Sequence, residues 1–333
     1  MRCEIAKLLS IRLSLYFLQV HPCSFSFHVS QQFLHLPCDF FLFLFFFFLL
    51  QRGFFTMTSN NIRSEFRKMV HEEGAIKKTI ITGLAEMMGT SLLVFLGCMG
   101  CVSGLGVVPS HLQITLNFGL SVMIVIQCFG HISDAHVNPA ITVGSVVLGK
   151  KSIPEALVYL LAQTLGAISG YGMLRVVTPT ENLTLGGIDD ADKLCITDLH
   201  PNVSAIQGLL IESLSTSILM LVTCAVWDLR NEKNTDSVPL KFGFTIATLA
   251  TAFGPYTGCS MNPVRTLGPA VWNNQWSHHW IYWFGPIGGA LLSSISYRTI
   301  FGVQRSVEEE NVPERVALNS VDISQKTELK EQP

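Results

Sequence analysis

The sequence has few charged residues for its length. Asp, Glu, Lys and Arg make up 14% of its 333 residues, against about 25% in soluble domains. Hydrophobic residues account for 49%, so a soluble fold of this size could not cover its surface with polar side chains. The net charge of −2 also excludes the basic surface that nucleic-acid binding requires. We therefore interpret the chain as a polytopic membrane protein.

The cysteines show neither a disulfide framework nor metal-ligand spacing. The long loop between the third and fourth apolar runs holds one cysteine, Cys195. Five others lie in or beside apolar runs, namely Cys98, Cys101, Cys128, Cys224 and Cys259. The sequence also has no nucleophile–base arrangement. We expect no disulfide framework, no metal, no cofactor and no enzymatic activity.

The first 56 residues differ in amino-acid composition from the rest of the chain. Residues 40–50 are an unbroken run of Phe and Leu, shorter than the roughly 20 residues that a spanning helix needs. No small-residue cleavage site of a signal peptide follows it. Because U-rich codons specify Phe and Leu, we interpret 1–56 as a leader outside the fold, with synthesis starting at Met57. The alternative is an amphipathic cytoplasmic extension.

From residue 79 onward, apolar runs recur between polar breaks. Two short runs, 138–148 and 262–272, follow Asn-Pro and are about half a membrane thick at ~1.5 Å per residue. Six longer runs predict membrane-spanning helices near 79–101, 113–131, 154–177, 206–227, 239–256 and 279–301. The predicted fold class is an all-α membrane protein with six transmembrane helices and two re-entrant half-helices.

Basic residues predict the orientation. They precede the first predicted helix and recur in the loops on the same side, whereas the opposite side carries mainly Arg175 and Lys193. We therefore expect a channel domain at 79–301 in the plasma membrane. A cytoplasmic segment at 57–78 precedes it, and a cytoplasmic tail at 302–333 follows it.

The long loop at 178–205 is then external. It holds two Asn-X-Ser/Thr sequons, which make Asn182 and Asn202 glycosylation candidates.

The chain contains an internal repeat. Asn138 follows Glu86 by 52 residues, and Asn262 follows Glu212 by 50. Each of these asparagines also lies 20 residues after a Phe-Gly pair. Each repeat has three predicted spans, an odd number, so the second repeat inserts upside down relative to the first. Inverted repeats place a shared site near the bilayer midplane.

The two Asn-Pro motifs predict short helices that begin inside the membrane, because Asn is a preferred N-cap and Pro is favoured at the first helical position. Their N-termini would meet at the midplane, each with about half a positive charge, and repel cations. The two Asn amides can donate to a passing oxygen. We therefore predict permeation of neutral polar solutes without protons or ions. The motifs are Asn138-Pro139-Ala140 and Asn262-Pro263-Val264.

Two carboxylates, Glu86 and Glu212, lie within predicted spans. Such groups face the protein interior and pair. We expect them to accept hydrogen bonds from the irregular backbone of the re-entrant loops rather than to bind a transported ion. Glycines are expected to allow close helix packing at Gly89, Gly166, Gly170, Gly288 and Gly289.

These motifs resemble the aquaporin (major intrinsic protein) family over about 79–300. The resemblance rests on the stretches 130–140, 256–270 and 279–286. It implies a homotetramer in the lipid bilayer, with one pore for water and small neutral solutes in each subunit. Most members have Ala where this chain has Val264.

The resemblance also assigns the residues of the family's outer constriction. They are Phe118, Ala250, Cys259 and Arg265. Water-selective members carry His where this chain has Ala250. A methyl group there widens the ring and leaves a surface for the carbon backbone of a polyol, while Arg265 supplies donors for hydroxyl groups. The combination resembles the insect entomoglyceroporins and favours glycerol, and urea, passing along with water. The matched position makes Cys259 the candidate target for mercury.

Other positions favour a water-selective channel, which is the alternative. Glycerol facilitators carry Asp where this chain has Thr266, and they replace the aromatic pair Tyr282-Trp283. We give the size of the constriction more weight than these positions. A secondary transporter would need coupling-ion ligands at the midplane beyond the two matched carboxylates, and Arg265 opposes a cation channel.

If synthesis starts at Met57, tryptic peptides from 1–56 should be absent from the purified protein. Mass spectrometry of the intact chain and its digest checks this. Any peptide from upstream of Met57 would instead support the cytoplasmic extension.

Overall fold

The computed structural model describes residues 74–302, apart from 104, 107, 180–181 and 184–193, and four residues further upstream. The predictions for the leader at 1–56 and for the tail beyond 302 fall outside the described residues, as does most of the segment 57–78.

The described chain is helical, and its helices match the predicted spans to within several residues. Two helices, α3 and α7, are short and begin at the prolines of the Asn-Pro motifs. The helices are α1 Ala75–Met99, α2 His111–Ser133, α3 Pro139–Val147, α4 Ile153–Val177, α5 Ala205–Val226, α6 Val238–Thr257, α7 Pro263–Asn273 and α8 Ile281–Ser296. The predicted fold class is confirmed.

By length and composition, four of the described helices could cross a membrane: α1, α2, α4 and α5. The helix α6 begins next to Pro239 and carries Lys241 and a second proline, Pro255. The helix α8 has 16 residues, fewer than the roughly 20 of an average span. A second compact unit begins at Tyr297, and its described part consists of the π-helical stretch Tyr297–Phe301 and Gly302.

The first and second repeats pair their helices in the same way. In the first, α4 packs on α1 because its glycines come against backbone carbonyls of α1. An added Cβ at Gly166 would overlap the Met87 carbonyl oxygen, and one at Gly170 would overlap that of Ser91. In the second, α8 packs on α5, with Gly289 against the Ser213 carbonyl oxygen. These contacts agree with the expected close packing.

Two of the other glycines behave differently. Gly89 comes against a side chain of a re-entrant loop, since its Cβ would lie 2.9 Å from Cγ1 of Val137. The expectation for Gly288 is wrong, because no described atom lies within 4 Å of a Cβ at that position. In α8, Gly289 faces α5. Successive residues of a helix point in directions about 100° apart, so the neighbouring Gly288 faces open space.

This difference between adjacent glycines predicts their substitution effects. Gly289→Ala should lower the free energy of unfolding by about 1–3 kcal/mol, the usual cost of overpacking, because a backbone carbonyl cannot move aside easily. Gly288→Ala is the matched control and should raise the free energy of unfolding by about 0.5–1 kcal/mol, because Ala is favoured over Gly inside a helix. Thermal unfolding of the two variants in the same detergent checks this, and equal midpoints would contradict the close approach of α8 to α5.

Candidate functional site

A cavity of about 870 Å³ passes along the middle of the helix bundle. The helix α2 has 23 residues, and residues from both of its ends, His111 and His131, line this cavity. Twenty residues of helix extend about 30 Å, which is the thickness of a bilayer's hydrocarbon core. The cavity therefore follows the full depth of the membrane-spanning part.

Each half-helix is capped by the asparagine of its motif. The Oδ1 of Asn138 accepts from the Ala140 N–H at 2.9 Å. The Oδ1 of Asn262 accepts from the N–H groups of Val264 and Arg265 at 3.1 and 3.4 Å. The prolines take the first helical positions, where the missing N–H costs nothing.

The same two amides join the half-helices across the cavity. The Nδ2 of Asn138 donates to the Met261 carbonyl, and that of Asn262 donates to the Val137 carbonyl, both at 2.8 Å. The N-termini of α3 and α7 therefore meet, as the inverted repeat predicts. A carboxamide nitrogen carries two hydrogens, so each amide, which also lines the cavity, keeps one N–H for a solute oxygen.

A buried carboxylate holds the re-entrant loop before α3. Glu86 accepts from the backbone N–H groups of His136 and Val137 at 2.9 and 2.7 Å. It also accepts from the Ser133 hydroxyl at 2.7 Å and from Nε2 of Gln163 at 2.8 Å. The side chain is fully buried, and these four donors compensate for the water that burial removes.

Glu212 does the same for the loop before α7. It accepts from the N–H groups of Ser260 and Met261 at 2.9 and 2.8 Å, and from the Thr257 hydroxyl at 2.6 Å. The serine and threonine of the two loops correspond, as do the paired N–H groups. Among the described residues, Glu86 accepts from the side-chain amide of Gln163 and Glu212 from no such amide, so the first carboxylate has one donor more.

The loops take up an unusual backbone to make these bonds. Ala135 and Val137 have φ of 45° and 43°, and Cys259 and Met261 have φ of 44° and 52°. The left-handed region is strained for residues other than glycine, and it persists only where surrounding contacts over-determine it. The carboxylates supply such contacts. Nothing in the composition of these loops predicts these left-handed residues.

All four residues assigned to the outer constriction line the cavity, namely Phe118, Ala250, Cys259 and Arg265. The Cζ of Arg265 lies 4.7 Å from the centroid of the Phe118 ring, a distance typical of cation–π stacking. Cys259 directs its thiol to the Leu249 carbonyl, with Sγ 3.4 Å from the oxygen.

The arginine of the constriction is also held by a residue that the sequence did not suggest. The NH1 of Arg265 donates to the Cys195 carbonyl at 2.8 Å. Cys195 is bonded to Cys98 in a disulfide. The expectation that the cysteines contribute no disulfide is therefore corrected for this pair. The signal was available, because topology places the end of the first span and the external loop on the same side of the membrane.

The other half of the cavity contains an imidazole. The Nδ1 of His136 lies 3.1 Å from the Thr142 hydroxyl, and the ring centroid lies 5.3 Å from that of Trp227. Its Nε2 is buried and has no hydrogen-bond partner within the described chain. His136 lines the cavity, so its ring forms part of the wall on this side.

At the mouth beyond this imidazole, Asp134 lines the cavity. The Nζ of Lys151 lies 2.9 Å from its carboxylate. Burial lowers the pKa of Lys151, but the hydrogen bond and the charge of Asp134 outweigh burial and raise the pKa to about 12. The lysine therefore stays charged and neutralises the Asp134 carboxylate at this mouth.

The two glycosylation candidates lie in the loop between α4 and α5. Asn202 is exposed, and Asn182 is half-buried. Within the described residues, no group of three or more His, Cys, Asp or Glu side chains could hold a metal ion.

Comparisons with known proteins agree with this architecture. The chain is 40% identical to mouse aquaporin-4 over 221 residues, which cover 65% of this chain and 66% of that protein. It is 39% identical to rat aquaporin-2 over 228 residues, which cover 68% of this chain and 81% of that one. The match to mouse aquaporin-4 thus spans just under two thirds of that relative's length.

A solved structure shares the fold. It is the X-ray structure of the aquaglyceroporin from Plasmodium falciparum, with a TM-score of 0.61 and 23% identity, covering 67% of this chain and 97% of that chain. The family described as major intrinsic protein matches residues 75–297. Its members are channels rather than enzymes, and the chain belongs to this major intrinsic protein, or aquaporin, family of multi-pass membrane proteins.

Proposed function

We propose that the protein is a passive channel for water and for small uncharged solutes, glycerol and urea among them, of the entomoglyceroporin type. The single observation that carries this proposal is the small side chain of Ala250 on the wall of the constriction. The proposal rests on the position and size of the Ala250 side chain and on the polar groups that face the same cavity.

The constriction has one apolar and one polar side. The Phe118 ring and the Ala250 methyl group supply apolar surface, while the Arg265 guanidinium supplies N–H donors. A polyol has the same division, with its carbon chain on one edge and its hydroxyl groups on the other. Such a wall therefore compensates the desolvation of a glycerol molecule better than an all-polar ring would.

Exclusion of ions follows from the charges along the path. The N-termini of α3 and α7 meet at the cavity with partial positive charge, and Arg265 adds a full positive charge. The amides of Asn138 and Asn262 orient a water oxygen toward themselves, which interrupts a chain of water molecules that would conduct protons. Neutral solutes meet no such barrier.

A water-selective channel is the alternative, and it is favoured by Thr266 and by the Tyr282-Trp283 pair. The structure gives these side chains other partners. The Thr266 hydroxyl lies 2.8 Å from that of Thr197, the Tyr282 hydroxyl donates to the Thr257 carbonyl, and none of the three is among the residues that line the cavity. Their packing roles support giving Ala250 the greater weight.

The rest of the proposal concerns assembly and placement. We infer a homotetramer in the plasma membrane with both termini in the cytoplasm, and the large apolar side chains exposed on the helices support it. A lone chain in water would not expose Ile80, Leu84, Leu161 and Leu165, whereas lipid tails or neighbouring subunits cover such surfaces.

Ala250→His should abolish glycerol flux while water flux remains. An imidazole narrows the ring, and a steric cost of about 1.4 kcal/mol or more lowers glycerol flux by about tenfold or more. Ala250→Ser is the matched control, because a hydroxyl adds polarity with little volume and should keep glycerol flux. Stopped-flow measurements on proteoliposomes, with water and then with glycerol, check both variants. Water flux without glycerol flux in the unmodified protein would support the alternative instead.

Mercury should block the channel through Cys259, because a mercury atom bound to its sulfur would occupy the constriction. Cys259→Ser should remain open in mercuric chloride, whereas Cys101→Ser should stay sensitive. Cys101 is the matched control, since it is also a free cysteine that lines the cavity. Oocyte swelling with and without mercury is the measurement, and block of the Cys259→Ser channel would assign the sensitivity to another thiol.

A further inference from the structure

The disulfide between Cys98 and Cys195 connects the last turn of α1 to the external loop. Both residues are buried. The bond lies at the constriction rather than on the outer surface, because Cys195 itself lines the cavity. Its position therefore bears on the pore as well as on stability.

Cys195 is the partner of the Arg265 guanidinium. NH1 donates to the Cys195 carbonyl at 2.8 Å, and NH2 lies 3.6 Å from its sulfur. Within the described residues, these are the two hydrogen-bonding contacts of that guanidinium. The direction in which the arginine extends into the pore thus depends on where this one residue is held.

The backbone of Cys195 has a strained conformation that surrounding contacts must stabilise. Its φ is 60°, in the left-handed region that is strained for a residue with a Cβ. Such a conformation persists where the surroundings over-determine it. The disulfide restrains the side chain of Cys195, and the preceding carbonyl, of Leu194, accepts a hydrogen bond from the Tyr171 hydroxyl at 3.0 Å.

The same turn of α1 also places the aromatic side of the constriction. Gly97, the residue before Cys98, leaves room for the Phe118 ring, which a Cβ at that position would overlap. The Phe118 ring in turn lies under the Arg265 guanidinium at 4.7 Å. Two consecutive residues of α1 therefore locate the two groups that contact the arginine.

We propose that the Cys98–Cys195 disulfide is a positioning element of the selectivity constriction, which acts through the Cys195 carbonyl on Arg265. This inference rests on the proposed function of the constriction and extends it. Without the bond, the strained turn relaxes and the guanidinium loses its carbonyl acceptor. A buried guanidinium without that acceptor turns to the nearest remaining oxygens, which are those of molecules in the pore.

We expect the constriction to become narrower and to hydrogen-bond permeating molecules more strongly. Glycerol fills the ring more completely than water does, so its flux should fall more. The ratio of glycerol to water permeability should decrease by about two- to tenfold, the factor that one hydrogen bond of ordinary strength corresponds to. Water permeability should also decrease, by a smaller factor.

Other contacts hold the same loop and could make the disulfide dispensable for the pore. The Thr197 hydroxyl lies 2.8 Å from that of Thr266, and the His200 N–H donates to the Tyr256 carbonyl at 2.9 Å. If these contacts were sufficient, removal of the disulfide would lower stability and leave the permeability ratio unchanged. The experiment therefore measures the ratio and not the amount of active protein.

The test compares the double variant Cys98→Ser/Cys195→Ser with the unmodified channel in proteoliposomes. Cys224→Ser is the matched control, because Cys224 is a buried cysteine without a disulfide and does not line the cavity. A decrease in the glycerol-to-water ratio in the double variant alone supports the proposal. An unchanged or increased ratio, with Arg265 intact, overturns it.

A second measurement uses the folded protein and does not require the variant to fold. A water-soluble phosphine supplies two electrons to the disulfide. Each sulfur gains one proton and becomes a thiol, and the phosphine becomes its oxide with an oxygen atom from water. Reduction should lower the permeability ratio of the unmodified channel and leave the double variant unchanged. An unchanged ratio in channels shown by thiol labelling to be reduced would overturn the proposal.

A third arm separates this inference from the proposed function. In an Arg265→Leu background, removal of the disulfide should have no further effect on the permeability ratio, because the effects of coupled residues are not additive. A full further decrease would overturn the route through Arg265.

If the unmodified protein conducts water but no glycerol, the proposed function fails. Water permeability then decides the disulfide's role, since it should decrease in the double variant and not in Cys224→Ser.

Discussion

The structure depends on the hydrogen bonds that two buried carboxylates accept from irregular backbone. Non-helical backbone in a membrane is tolerated only where its polar groups are satisfied inside the protein or by a water-filled cavity. Glu86 and Glu212 accept two backbone N–H groups each, and so allow each re-entrant loop to stop halfway through the bundle. The half-helices, their opposed N-termini and the cavity that they line depend on these hydrogen bonds.

The two repeats share this framework but differ in the chemistry that they present to the cavity. In one half, Arg265 stacks on Phe118 and donates to Cys195, and Ala250 completes the wall. In the other half, the rings of His136 and Trp227 lie against each other on the cavity wall. A common framework thus brings the N-termini of the two half-helices together, while side chains that differ between the repeats line the two ends of the cavity.

Much of the fold was predictable because its signals are local. Apolar runs gave the long helices to within several residues, and Asn followed by Pro gave the starts of both half-helices, since capping depends on neighbours in sequence. The roles of adjacent glycines were less predictable. Gly288 and Gly289 look alike in sequence, yet only Gly289 lies against a carbonyl of α5, because helix rotation is set by packing.

The sequence by itself determined the membrane class and the inverted repeat, since hydropathy and spacing are properties of the chain. The residues of the constriction came from the family resemblance and stay a prediction. Only the tertiary structure decided how the constriction is held. The bond between Cys98 and Cys195 joins residues 97 positions apart, and the contact of Arg265 with Cys195 spans 70. Neither contact can be read from hydropathy or residue spacing, because both form only after the loop between α4 and α5 has folded back over the cavity.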